Sequence, residues 1–182
     1  MLTYKNIVIF LGIIIAAIFF MPACGIVHYE KNFNPAPIDK NYLPEVRIIK
    51  EVALIPELQG NPTEVLVLAN GSHKWYANTK ELTDIAVKVA HDILRQNNVD
   101  ISDIGPKVLK ISFVNTSYES GWWATQINFD FMVKAGDEIV KTIRGYQNIG
   151  RTSQTHWAIE ASVSHAMINV FKDPEILEYL KN

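Results

Sequence analysis

Ile7 to Phe20 is almost wholly apolar, and the chain's single cysteine, Cys24, follows it. The run has the length of a signal-peptide core, about 7–15 residues. It falls short of the ~20 apolar residues that cross a bilayer. Positive charge ahead of it comes from the amino terminus and Lys5. Residues 1–23 are therefore read as a leader and set apart from the folded body. About 160 residues remain, enough for one compact domain. With one cysteine no intramolecular disulfide can form, so ordinary core burial must hold the body together.

Small Ala23 beside Cys24 suits a peptidase that needs a compact residue at its cut. The stretch Met21-Pro22-Ala23-Cys24-Gly25 resembles the lipobox of bacterial lipoproteins, with Met21 where that motif usually has leucine. The resemblance implies a thioether from Cys24 to diacylglycerol and acylation of its new amine. Each buried methylene contributes about 0.8 kcal/mol, and two chains anchor stably where one does not. Gly25 stands where an aspartate often marks inner-membrane retention in enteric lipoproteins. The likeness thus favours the periplasmic face of the outer membrane. The competing reading is an uncleaved signal anchor with an incidental cysteine.

Residues 24–45 carry Pro35, Pro37 and Pro44 and no period of 2 or 3.6. They read as a lipidated tether that lets the body stand off the membrane. An extended segment packed on the domain through Tyr29, Phe33 and Tyr42 is the alternative. Residues 46–182 read as a single domain. Seventeen basic against 19 acidic side chains leave no broad basic footprint for nucleic acid.

Val46 to Ile55 is rich in β-branched residues, and Val65-Leu66-Val67-Leu68 fits a strand buried on both faces. Asn78, with Glu81 three residues on, marks a helix start. Leu82, Ile85, Ala86, Val89 and Ile93 then form one apolar stripe, opposite Lys80, Asp84, Lys88 and Asp92. That helix should end near Asn97 and Asn98. Leu109, Ile111 and Phe113 alternate with polar residues, as do Ile127, Phe129, Phe131 and Val133. Ala135-Gly136-Asp137-Glu138 makes a hairpin turn into a strand from Ile139 to Tyr146. Thr155 opens a final helix with a core stripe from Ile159 to Val170 and a second ridge at Trp157, Ala161 and Ile168. Asp173-Pro174 restarts a short helix. The expected fold is α+β, in order β-β-α-β-β-β-α. A mostly antiparallel sheet carries two main helices on one face, and its other face, with Lys110, Gln126, Asn128 and Asp130, stays wet.

No catalytic set is evident. His28, His73, His91, His156 and His165 lack partners at metal-ligand spacing, and no serine sits in a nucleophile elbow. Neither a metal nor a cofactor is expected. Two aromatic groups remain, Trp75-Tyr76 and Tyr118 with Trp122-Trp123. They could pack on one another as a sheet-end cap or dock a partner or headgroup layer. Adjacent strand residues face opposite ways, so one of Trp122 and Trp123 should leave the core.

From about Lys50 onward the chain resembles the YajG family of uncharacterised lipoproteins. The likeness lies in Val52-Ala53-Leu54-Ile55-Pro56, the amphipathic first helix, the central hairpin, Ile143-Arg144-Gly145-Tyr146, and a final helix ending in Phe171-Lys172-Asp173. It implies an α+β lipoprotein with no established reaction. The expected function is a non-enzymatic binding or assembly accessory, anchored through Cys24, with an envelope protein as partner. A peptidoglycan-binding module and an envelope hydrolase are the alternatives.

Overall fold

The computed structural model describes residues 26–28, 38, 40–48, 50–70, 73–150 and 155–182. Cys24 and the leader lie outside them. Strand β1 spans Ile26–His28, and a 3-10 turn follows at Lys40–Tyr42. Next come β2 (Val52–Pro56), β3 (Glu64–Asn70), β4 (His73–Asn78) and helix α1 (Thr79–Gln96). Strands β5 (Lys107–Ser120), β6 (Thr125–Ala135) and β7 (Ile139–Ile149) precede helices α2 (Thr155–Val170) and α3 (Pro174–Lys181). The main sheet has the order β2-β5-β6-β7, with β2 parallel to β5 and the other pairs antiparallel. A smaller sheet, β1-β4-β3, flanks it through β3 and β5.

The α+β class and the helix-on-sheet layering agree with the sequence pattern. Leu109, Ile111, Phe113, Ile127, Phe129, Phe131 and Val133 are buried under α1 and α2. The Phe113 ring meets Phe129 and Phe131 edge-on, at 6.2 and 5.9 Å between centroids. Helix α1 buries Leu82, Ile85, Ala86, Val89 and Ile93, as its stripe predicts. On its wet face Lys80 pairs with Asp84 at 2.5 Å.

Both ends of α1 follow from local chemistry. The Asn78 side chain accepts from the Lys80 amide at 2.9 Å. At the far end Asn98 adopts φ 58°, a left-handed conformation that asparagine tolerates. The Val99 amide reaches Leu94 O and the Asn98 amide reaches Arg95 O, which together close a Schellman motif. Helix α3 starts on the Asp173 side chain, which accepts from the Glu175 and Ile176 amides at 3.0 and 3.1 Å.

A β-bulge between Phe113 and Asn115 reshapes β5. Before it the odd residues Leu109, Ile111 and Phe113 face the helices; beyond it Thr116 and Tyr118 pair with Phe129 and Ile127. The strand therefore runs on to Ser120, past the Val114 at which alternation in the sequence stops. Buried Thr83 supports the bulge, its hydroxyl accepting from the Phe113 amide at 3.1 Å and donating to Thr79 O at 2.9 Å.

Three expectations need correction. Of the segment 24–45, the described residues are held to the body: β1 pairs with Lys74, Trp75 and Tyr76, and Ile38 and Leu43 pack against the core. Val46 is buried, and its amide donates to Asn97 Oδ1 at 3.0 Å. Secondly, Trp75-Tyr76 belongs to strand β4, which pairs with β3 after Asn70. Thirdly, the second sheet face is only partly wet. Ser112 and Asn128 are buried there and hydrogen-bonded, to Gln59 and to Gln126 and Ser117 respectively.

Strand β7 is the edge of the main sheet, and α2 covers its outer backbone. Asn169 Nδ2 donates to Arg144 O at 3.0 Å, and His165 Nδ1 lies 3.0 Å from Tyr146 O. His165 is thus a half-buried structural residue that guards an unpaired strand edge.

Candidate functional site

The β5–β6 hairpin carries two of the most exposed large apolar side chains among the described residues. Its ladder closes at Ser120 opposite Thr125, and the Gly121 amide donates to Ala124 O at 2.8 Å. Trp122 and Trp123 occupy the loop between, where no strand alternation applies. Both rings project into solvent, 90% and 85% exposed. The expectation that only one of them leaves the core is corrected.

The five aromatic residues singled out in the sequence do not share one surface. Trp75 is 6% exposed and belongs to the core, so it offers little surface to a partner. Tyr76 is half-buried in β4, and Tyr118 is half-buried against the core. Only Trp122 and Trp123 stand free of packing. Sequence reasoning missed Trp157 as a surface residue. It is 48% exposed on α2, while Ala161 and Ile168, on the same second ridge, are half-buried. Helix α1 packs beside α2, yet Trp157 keeps about half of its surface in water.

Polar bonds stiffen the strands behind the loop. Gln126 Nε2 donates to Asn128 Oδ1 at 2.7 Å, Asn128 Nδ2 to Ser117 Oγ at 3.3 Å, and Thr116 Oγ1 to Asn128 O at 3.0 Å. Arg144 grips Asp130 through Nε and Nη2 at 2.7 and 2.9 Å across β6 and β7. This bond, and then the Asp130 charge, raises the Arg144 pKa above its ordinary value. These groups are committed to one another.

Other concavities offer little chemistry. A cavity of 170 Å³ lies where Val65, Thr79 and Thr83 meet Phe113 and Val114, lined by no ionisable side chain. A shallower one of 370 Å³ beside the β6–β7 turn holds Asp137, Glu138 and Tyr179. There the Tyr179 hydroxyl accepts from the Val108 amide at 3.1 Å, and Lys107 Nζ sits 4.5 Å from its ring centre. Among the described residues no three His, Cys, Asp or Glu side chains converge as metal ligands. His91 and His156 are exposed. No described helix is long and apolar enough to cross a membrane.

No protein-family model matches the chain, and no curated protein matches it. Among solved structures it is similar to protein XCC0632 from Xanthomonas campestris, described under the family model DUF330. The TM-score is 0.47 at 12% identity, over 81% of this chain and 92% of that one.

Proposed function

We propose that the chain is a lipid-anchored envelope lipoprotein of the YajG-like kind. Cys24 holds it on the periplasmic face of the outer membrane. There it acts as a non-enzymatic binding or assembly accessory. The exposed Trp122-Trp123 loop carries this reading. Two large apolar rings held in water at the end of a paired hairpin cost solvation free energy that a bound surface would recover. Elsewhere some surface charges are already paired, as Arg144 is with Asp130 and Lys141 with Glu175.

Crosslinking in intact cells from a photoreactive residue at position 122 tests the reading. Adducts with one envelope component, lost when the crosslinker is moved to exposed Asp84 on α1, are expected. Equal, diffuse labelling from both positions contradicts it.

A further inference from the structure

The backbone register places a third tryptophan at the end of the molecule that holds the loop. Helix α2 runs antiparallel to β7: Asn169 meets Arg144, His165 meets Tyr146, and Ser162 Oγ donates to Ile127 O, opposite Gln147. Trp157 lies five residues before Ser162, roughly 7.5 Å along the helix. That brings it level with Ile149, which pairs with Thr125 at the mouth of the loop. Half-exposed Trp157 is therefore at the same end of the body as Trp122 and Trp123, on a helix face turned from the sheet. No charged side chain occurs from Ser120 to Thr125.

From this we infer that the loop of Trp122 and Trp123 seats the body in the headgroup layer of a phospholipid membrane. The inference rests on the anchored reading above and names the partner of the same surface. Area favours lipid over protein. Two tryptophan rings offer roughly 300–500 Å², against the ~800 Å² per partner of a standard protein interface. Indole, apolar in body with one N–H donor, suits the boundary between headgroups and chains. An uncharged loop enters that layer with no charge to desolvate.

The anchor makes weak insertion sufficient. One residue, Gly25, separates Cys24 from Ile26, a reach of at most ~7 Å over two steps of chain, and β1 is already paired in the small sheet. A body held that close binds intramolecularly, at an effective concentration near the millimolar range. The loop then fixes orientation while the acyl chains fix location.

Full-length protein purified from membranes and placed in vesicles of phosphatidylethanolamine and phosphatidylglycerol provides the test. Lipids brominated high on their chains quench indole at the interface. Wild-type emission should shift to the blue and be quenched, and Trp122→Ser/Trp123→Ser should lose most of both effects. The melting curve of that variant should be unchanged, since both rings are exposed. Protein that floats with vesicles yet shows no quenching overturns the inference and leaves the anchor standing. Protein that does not float overturns both. Quenching that survives the double substitution also overturns it, because the loop is then not the contact.

Discussion

Gly145 on β7 lies directly beneath the backbone of Ser162 on α2. A Cβ at position 145 would overlap the Ser162 carbonyl oxygen and the Ala166 amide nitrogen, and would stand 2.7 Å from Ala166 Cβ. Only glycine lets α2 settle this low on the sheet, with His165 and Asn169 brought against the strand edge.

Gly145→Ala should accordingly force helix and strand apart. Overpacking typically costs about 1–3 kcal/mol, and a clash with backbone belongs at the top of that range. Three kcal/mol corresponds to a melting point lower by about 6–12 °C in a chain of this size. Thermal unfolding followed by circular dichroism reads it directly. An unchanged midpoint contradicts the packing described.

The bulge in β5 gives a second prediction. Thr83→Val keeps the volume but leaves the Phe113 amide without its acceptor in a buried site. An orphaned buried donor costs about 1–3 kcal/mol, so urea unfolding should move to lower midpoint with its slope unchanged. Thr83→Ser, which retains the hydroxyl, should keep most of the stability. Equal loss in both variants would mean that the methyl group, not the hydrogen bond, is what the site needs.

Lys141 supplies a pH signature. Its hydrogen bond to Glu175, together with the charges of Asp173 and Glu175 and against some desolvation, raises its pKa above the ordinary value. A raised folded-state pKa means the contribution is complete below the unfolded value of about 10.4 and disappears as pH climbs through the folded one. The stability gap between wild type and Lys141→Met should therefore stay constant from neutral pH to about 10 and close above it. Denaturant titrations across the alkaline range measure this. A gap that closes toward acid while persisting in alkali contradicts the sign. Lys141 is only half-buried and its partner Glu175 is exposed, so the gap should be small.

Much of this architecture was written in short-range patterns. The α1 stripe, the Asn78 cap, the Asn97-Asn98 stop and the Asp173-Pro174 restart are local, and each acts within a few residues. What escaped reading depends on distant partners. Alternation in β5 fails at Val114 because a bulge changes its parity, and the Thr83 hydroxyl that supports the bulge lies 30 residues away. Strand β4 hid behind Trp75-Tyr76, an aromatic pair equally at home in a surface cluster. Its burial follows from β1 and β3 on either side. Before Val46, the described residues Ile38 and Leu43 pack on the core as isolated side chains, a contact that leaves no period to read. Of the surface itself, the Trp122-Trp123 doublet was visible as composition. Trp157 was visible only as an unassigned ridge, and its level along the sheet, at the loop's end, needs the register of α2 on β7.

Membrane attachment through one sulfur underlies the whole functional account, and the mass of the mature amino terminus tests it. Protein extracted from envelopes should yield an N-terminal peptide that begins at Cys24 and carries diacylglycerol and amide-linked acyl chains. Cys24→Ala should abolish palmitate labelling. A peptide retaining residues 1–23, or a Cys24 recovered as free thiol, would contradict the account.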